Sequence, residues 1–208
     1  MTEAIINNEE TILPFEKSIA FIIGINNYLR LDKLTTAVND AKKLGEVLET
    51  AQRFEVHYLL DATKNEIEEL LENTIGEKAG EEDRLLFYFA GHGIATQSDD
   101  LPEGYIMPAD AVKKDVNTYI NMKDIRDAID GLPCLHVLLI LNCCFSGAFK
   151  WSSRFRDGDI LIPKRIHKEH LDRFVDESAR QVITSTSWNQ RSIDTFQKKT
   201  LVNVMMKV

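Results

Sequence analysis

Cysteine is scarce in this chain: Cys134, Cys143 and Cys144 are the three present in 208 residues. An odd, sparse set with two adjacent members is not a disulfide framework, so free thiols and a reducing, cytoplasmic setting are expected. Positive charge is also short, with 25 Lys and Arg against 33 Asp and Glu and a net charge of -8. That balance offers no general attraction for nucleic acid or an anionic membrane, and neither is expected as a partner. No apolar run approaches the roughly 20 residues that span a bilayer. Residues 1–16 are too polar and acidic for a secretory leader. No G-x-G-x-x-G or Walker-type loop appears, which argues against a nucleotide-binding domain. Internal repeats and low-complexity tracts are absent as well.

What is present reads as alternating strands and helices. Ile19–Ile25 is a continuous, β-branched apolar run that suits a strand buried on both faces. Ala37, Ala41, Leu44 and Leu48 follow at helical spacing. Glu55–Asp61 reads as a second strand. Thr63 and Glu66 form a T-x-x-E capping box, opening a helix with the stripe Ile67, Leu70, Leu71 and Ile75. Arg84–Ala90 and His136–Asn142 are two further strong strands, Gly104–Pro108 is a short extended piece, and Val182–Ser187 is a fifth strand. Asn121 can cap a helix carrying Met122, Ile125 and Ile129 that stops at Gly131. Leu201–Val208 reads as a helix start. This alternation predicts an α/β fold with a mostly parallel central sheet covered by helices on both faces.

In such sheets the ligand site lies beyond the carboxyl ends of the strands. His92 follows one strong strand and Cys144 another, so both reach the same edge of the sheet. A cysteine needs a base to become a thiolate, and an imidazole can take that proton and later protonate a leaving amine. Gly91 and Gly93 are expected to let the backbone turn sharply and to leave room for a substrate. The N–H groups of Gly93 and Cys144 are a candidate oxyanion hole. The plainer alternative makes Cys144 a small core residue and His92 polar surface. The spacing favours catalysis, because His92 precedes Cys144 by about 50 residues, as in one known cysteine-protease signature.

These motifs resemble a known family. Phe87-Tyr-Phe-Ala-Gly-His-Gly93 looks like the histidine motif of the caspase/metacaspase clan (peptidase C14-like), and Asn142-Cys-Cys-Phe-Ser-Gly147 like its D-x-C-x-S-G motif. Gly24-Ile-Asn-Asn-Tyr28, Ala37-Val-Asn-Asp-Ala41, Tyr105–Asp110 and Gln190–Asp194 are similar to segments of the metacaspase and prokaryotic caspase-like group. The resemblance spans about residues 17–208 and implies a caspase-like three-layer sandwich with about six strands. It divides the chain into an arm (1–16), a large-subunit-like part (17–149), a basic linker (150–178) and a small-subunit-like part (179–208). Aligning Ser146-Gly147 with the family pattern makes Cys144, not Cys143, the nucleophile; Cys134 is read as structural.

The resemblance also implies cysteine endopeptidase activity on peptide or protein substrates after Arg or Lys. Two acidic residues are expected to line the pocket for that side chain. One matches Asp40, for which a solvated or capping role is the alternative; the other falls on Asn142. A lone carboxylate still favours a cation. No clear Arg supports a pocket for P1 Asp. Ser185, Ser187 and Trp188 follow a strand that in this family lies beside the bound peptide; for Trp188, contact with a substrate side chain and a place in the core are both open. Arg154, Arg156, Lys164, Arg165 and Lys168 are candidate self-cleavage sites in the basic linker, where Gly158 and Pro163 interrupt regular structure. No cofactor or metal is expected, although Asp99, Asp100 and Glu103 are oxygen ligands of the kind calcium takes, without EF-hand spacing. Since the chain stops inside a helical pattern, further domains or partner proteins are expected beyond it. A catalytically silent caspase-like module is the competing reading; retention of both Cys and His argues for the enzyme.

Overall fold

The computed structural model describes residues 15–96, 103–144 and 179–185. In chain order these form β1 (Ser18–Gly24), α1 (Ala37–Gln52), β2 (Glu55–Leu60), α2 (Lys64–Glu69), a π-helical turn (Leu70–Thr74), α3 (Ile75–Lys78) and β3 (Arg84–Ala90). There follow β4 (Gly93–Thr96), β5 (Glu103–Ile106), a 3-10 turn (Val116–Thr118), β6 (Ile120–Asn121), α4 (Met122–Asp130), β7 (His136–Asn142) and β8 (Ala179–Thr184). The main sheet has five strands in the order β2-β1-β3-β7-β8, and every neighbouring pair is parallel. The expectation of about six strands becomes five among the described residues.

Every residue of β1 is buried, as is every residue of β3 after Arg84. That explains their unbroken apolar sequences, because a parallel sheet needs helices over both faces. Side chains alternate between two cores. Phe21, Ile23, Phe87, Phe89, Leu139 and Leu141 pack with the stripe Ile67, Leu70, Leu71 and Ile75 and with Ile125 and Ile129 of α4. Ala20, Ile22, Leu86, Tyr88, Ala90 and Ile140 pack against Ala37, Ala41, Leu44 and Leu48 of α1. The result is three layers, as the alternation predicts. Each fully buried Leu, Ile or Phe contributes about 1.5–3 kcal/mol relative to exposure, an upper figure for a chain already compact when unfolded.

The local stop signals act as expected. Glu66 accepts the Thr63 backbone N–H at 2.8 Å, and Asn121 Oδ1 accepts the Lys123 N–H at 2.8 Å. Three short strands were not expected as a unit: β4, β5 and β6 form a separate antiparallel sheet that stands beside the carboxyl edge of the main one. No helix among the described residues is long and apolar enough to cross a membrane. The N-terminal arm to residue 14, the basic linker to residue 178 and the pattern at Leu201–Val208 lie outside the described residues.

Candidate active site

Gly24, Ala90 and Asn142 end β1, β3 and β7 in one row. Gly91 extends the ladder by donating to the Asn142 carbonyl at 3.3 Å. The chain after β3 and the chain after β7 therefore leave the sheet side by side, carrying His92 and Cys144. Neither Gly91 nor Gly93 has a positive φ, so the expected sharp turn is not why glycine stands there; close approach is. A Cβ on Gly91 would lie 2.7 Å from the Tyr28 hydroxyl. One on Gly93 would collide with the Cys144 carbonyl oxygen and lie 2.9 Å from Cys143 Sγ. Only glycine lets the two strand-end segments touch.

His92 is held at several points. Its N–H donates to the Tyr28 hydroxyl at 2.7 Å, and its carbonyl accepts the Met107 N–H at 3.0 Å. Its ring lies 4.6 Å from the Tyr28 ring, tilted by 47°. Its Nε2 is 2.8 Å from the Asp32 carbonyl oxygen. A carbonyl only accepts, so Nε2 carries hydrogen in this contact and the neutral ring keeps Nδ1 as its basic nitrogen. Tyr28 is buried, and burial above all pushes its hydroxyl well above the ordinary phenol range.

The loop bearing Tyr28 and Asp32 is tied down from β2. Asp61 Oδ1 accepts the N–H groups of Asn26 and Asn27 at 2.7 and 2.8 Å, and Oδ2 accepts Asn27 Nδ2 at 2.7 Å. Burial raises the Asp61 carboxyl, but the hydrogen bonds from Asn27 and Asn26 together outweigh it and hold the group below its ordinary value. Asp61 itself takes a left-handed φ of 54°.

The two adjacent cysteines part company at the end of β7. Cys143 is fully buried in the core that contains Leu141 and Phe89. Burial, followed by the neighbouring Cys144, pushes its thiol far up. Cys144 is half-buried and lines a cleft of about 910 Å³ together with His92 and Gly93. His92 and Met107 form a hydrogen-bonded position of the β4–β5 ladder, so the Gly93–Ile106 pair that follows is a non-hydrogen-bonded one. The Gly93 N–H accordingly faces away from β5, and none of the described residues accepts from it.

Asp40 and Asn142 lie on the α1 side of the sheet. Asp40 is 4 % exposed, which removes the solvated alternative. It lies in the first turn of α1, one position beyond the N3 site that a capping box uses. Between them is Tyr88, 1 % exposed. Its hydroxyl is pushed up mainly by burial, is drawn down by the Asn142 amide beside it, and feels the Asp40 charge. It has no well-aligned hydrogen bond among the described residues. Ser185 spends its hydroxyl on the Cys143 carbonyl at 3.3 Å, and its N–H on the Leu141 carbonyl at 3.1 Å. It thus braces the segment entering Cys144.

The Caspase domain family model matches residues 17–202. The chain belongs to the caspase-domain family. A probable protease from a Desulfuromonadales bacterium is 26% identical to this caspase domain over 167 residues, 70% of this chain and 20% of the relative. The chain thus corresponds to about a fifth of that relative's length. A crystal structure of a protein from Geobacter sulfurreducens superposes with a TM-score of 0.50 at 18% identity, covering 62% of this chain and 50% of the other, a likeness of fold.

Ser187, Trp188, Arg154, Arg156, Lys164, Arg165 and Lys168 lie outside the described residues, as do Asp99 and Asp100. The Glu103 carboxylate accepts the Tyr105 hydroxyl at 2.6 Å. No group of three or more His, Cys, Asp or Glu side chains among the described residues could hold a metal ion. Sequence reasoning assigned no role to Tyr28, Asp32 or Asp61. Tyr28 stood in a recognised segment, but its partner is 64 positions away. Asp32 acts through its backbone oxygen, which leaves no mark on residue type.

Proposed function

We propose that this caspase domain is a cysteine endopeptidase in which His92 activates Cys144 and cleavage follows Arg or Lys. The observation that carries the reading is the meeting of His92 and the half-buried Cys144 in one cleft, with the outer nitrogen of His92 already engaged by the Asp32 carbonyl. Nδ1 takes the thiol proton, and the thiolate attacks the scissile carbonyl carbon. The resulting oxyanion is held by the N–H groups of Gly93 and Cys144. Asp32 stabilises the Nε2–H of the imidazolium that forms. His92 then returns the proton to the leaving amine, the C–N bond breaks, and an acyl-thioester remains on Cys144. Water, deprotonated by His92, releases the acid and restores the thiol.

The buried Asp40 carboxylate supports the basic preference, with the Asn142 amide as a neutral second acceptor. Arg, with its forked donors, uses such a pair better than Lys. By the same preference, Arg154, Arg156, Lys164, Arg165 and Lys168 are sites at which the domain cuts itself. The test is hydrolysis of fluorogenic peptides ending in Arg, Lys or Asp, with and without calcium, by wild type and Cys144→Ala. The expected order is Arg, then Lys, with Asp inert, no calcium requirement and no turnover by Cys144→Ala. Turnover that survives Cys144→Ala removes the mechanism, and a preference for Asp removes the pocket assignment. A denaturing gel of the same samples reads cleavage within the linker.

A further inference from the structure

The described residues around the cleft that contains His92 and Cys144 carry a charge opposite to that of the molecule. The chain carries a net charge of -8, yet among the described residues the charged side chains around this cleft, besides His92 and Cys144, are Arg30, Lys113 and Lys114 against Asp32. All three cations are exposed. No carboxylate among the described residues lies within ion-pair distance of any of them. Their backbones are anchored. Arg30 forms a β-bridge with Val112, and the Lys114 N–H donates to the Tyr119 hydroxyl at 3.0 Å. Lys114 holds a φ of 68°, a conformation that L-residues rarely adopt. Between the cations the cleft is apolar, with Leu31, Ile94 and Met107 in its lining.

Position assigns the occupant. His92 follows β3 and Cys144 follows β7, while β8 flanks β7 on the side away from β3. No residue of β8 or of α1 lines the cleft; among the described residues its walls are the loop after β1, strand β4 and the segment before β6. If His92 is the group that protonates the leaving amine, the leaving half of the substrate passes His92 on this side. We propose that the cleft binds the residues that follow the scissile bond and selects acidic side chains among the first few of them. This rests on the peptidase reading above and adds a second determinant to it: a cation before the cut and anions after it. A carboxylate on a short apolar stem matches a lining of methylene and methyl groups ringed by cations, and cations focused around one concave site also raise the rate of encounter.

The test uses internally quenched peptides with Arg before the cut and Glu-Glu, Ala-Ala or Lys-Lys at the second and third positions after it. At low salt, kcat/KM is expected to be about tenfold higher for the acidic than for the neutral peptide, and lower still for the basic one. High salt shrinks the ratio. The variant Arg30→Gln/Lys113→Gln/Lys114→Asn, in which Asn suits the left-handed backbone, brings the ratio to about one. Equal cleavage of all three peptides by wild type overturns the inference and leaves the peptidase reading standing. Should wild type cleave none of them, the peptidase reading fails, and fluorescence anisotropy of a labelled Glu-Glu peptide with a free N-terminus on the same proteins reads the cleft by itself. Tighter binding than a Lys-Lys peptide, lost in the triple variant, supports the cleft's preference; equal binding of the two overturns it.

Discussion

Tyr28→Phe removes a single oxygen and tests whether the support behind His92 matters to its chemistry. The ring is kept, and with it the 4.6 Å contact to the imidazole. What is lost is the acceptor of the His92 N–H at 2.7 Å. The backbone of Gly91 closes over the same hydroxyl, so the gap left is near the lower limit for a water, on the order of 10–15 Å³. The N–H is then left without a good partner, at about 1–3 kcal/mol. For a chain of this size that lowers Tm by about 2–10 °C. If half or more of that energy is released by a shift of the 91–93 backbone, which carries both the imidazole and the Gly93 N–H, kcat falls about three- to a hundredfold at one decade per roughly 1.4 kcal/mol. KM should move little, since neither group binds the ground-state side chain. The assay is kcat and KM on an Arg peptide beside a thermal melt, with Tyr28→Leu as the variant that also loses the ring. A melt lowered as expected with kcat within twofold of wild type would refute the reasoning, because Tyr28 would then be support for the fold alone.

Gly93→Ala drives a Cβ into the Cys144 carbonyl oxygen and displaces a proposed oxyanion donor, so kcat should fall about a hundredfold or more with KM little changed; steady-state kinetics on the same peptide measure it. Asp40→Asn removes a buried carboxylate that shares Tyr88 as a neighbour with Asn142 and should lower kcat/KM for Arg peptides about ten- to a hundredfold, the worth of a charge-assisted hydrogen bond; an undiminished Arg preference places the pocket elsewhere. Asp61 has a folded pKa held below its ordinary value of 3.8. Its contribution to stability is therefore complete above that value and is lost as the pH falls through the lowered folded one. Asp61→Ala should reduce stability at neutral pH and flatten the acid limb of a Tm-against-pH curve, and an unchanged acid limb would show that the carboxylate does not anchor the Asn26–Asn27 turn.

The sequence made the sheet legible where its strands are interior. β3 and β7 have the bounds the apolar runs predict, because a strand covered on both faces must be apolar throughout. β8 begins three residues earlier than its apolar pattern, at Ala179. Its register is set by pairing with His136 and by the Arg180 guanidinium, which donates to the carbonyls of Ile129 and Leu132 at 2.9 Å. Those are tertiary contacts that hydropathy does not encode. The β4–β6 sheet escaped for a related reason: strands of two to four residues are held by their partners rather than by any period of their own. The site shows the same division. His92 and Cys144 were visible as residue types at the ends of strands, and the face alternation along β7 explains why adjacent cysteines differ, one in the core and one in the cleft. The cations of the cleft come from two segments about 80 positions apart, joined by the Arg30–Val112 bridge and by the Leu29 N–H donating to the Ala109 carbonyl at 2.9 Å. Only folding reveals that they share a wall.

The central claim is that Cys144 is a nucleophile activated by His92. It is tested most directly by incubating the protein with a peptidyl-arginine chloromethyl ketone and mapping the adduct by mass spectrometry. One label per chain is expected, on Cys144, with labelling strongly slowed in His92→Ala. Cys143 stays unmodified, since burial keeps its thiol protonated and out of reach. Labelling at Cys143, or labelling of Cys144 at an undiminished rate in His92→Ala, would contradict it.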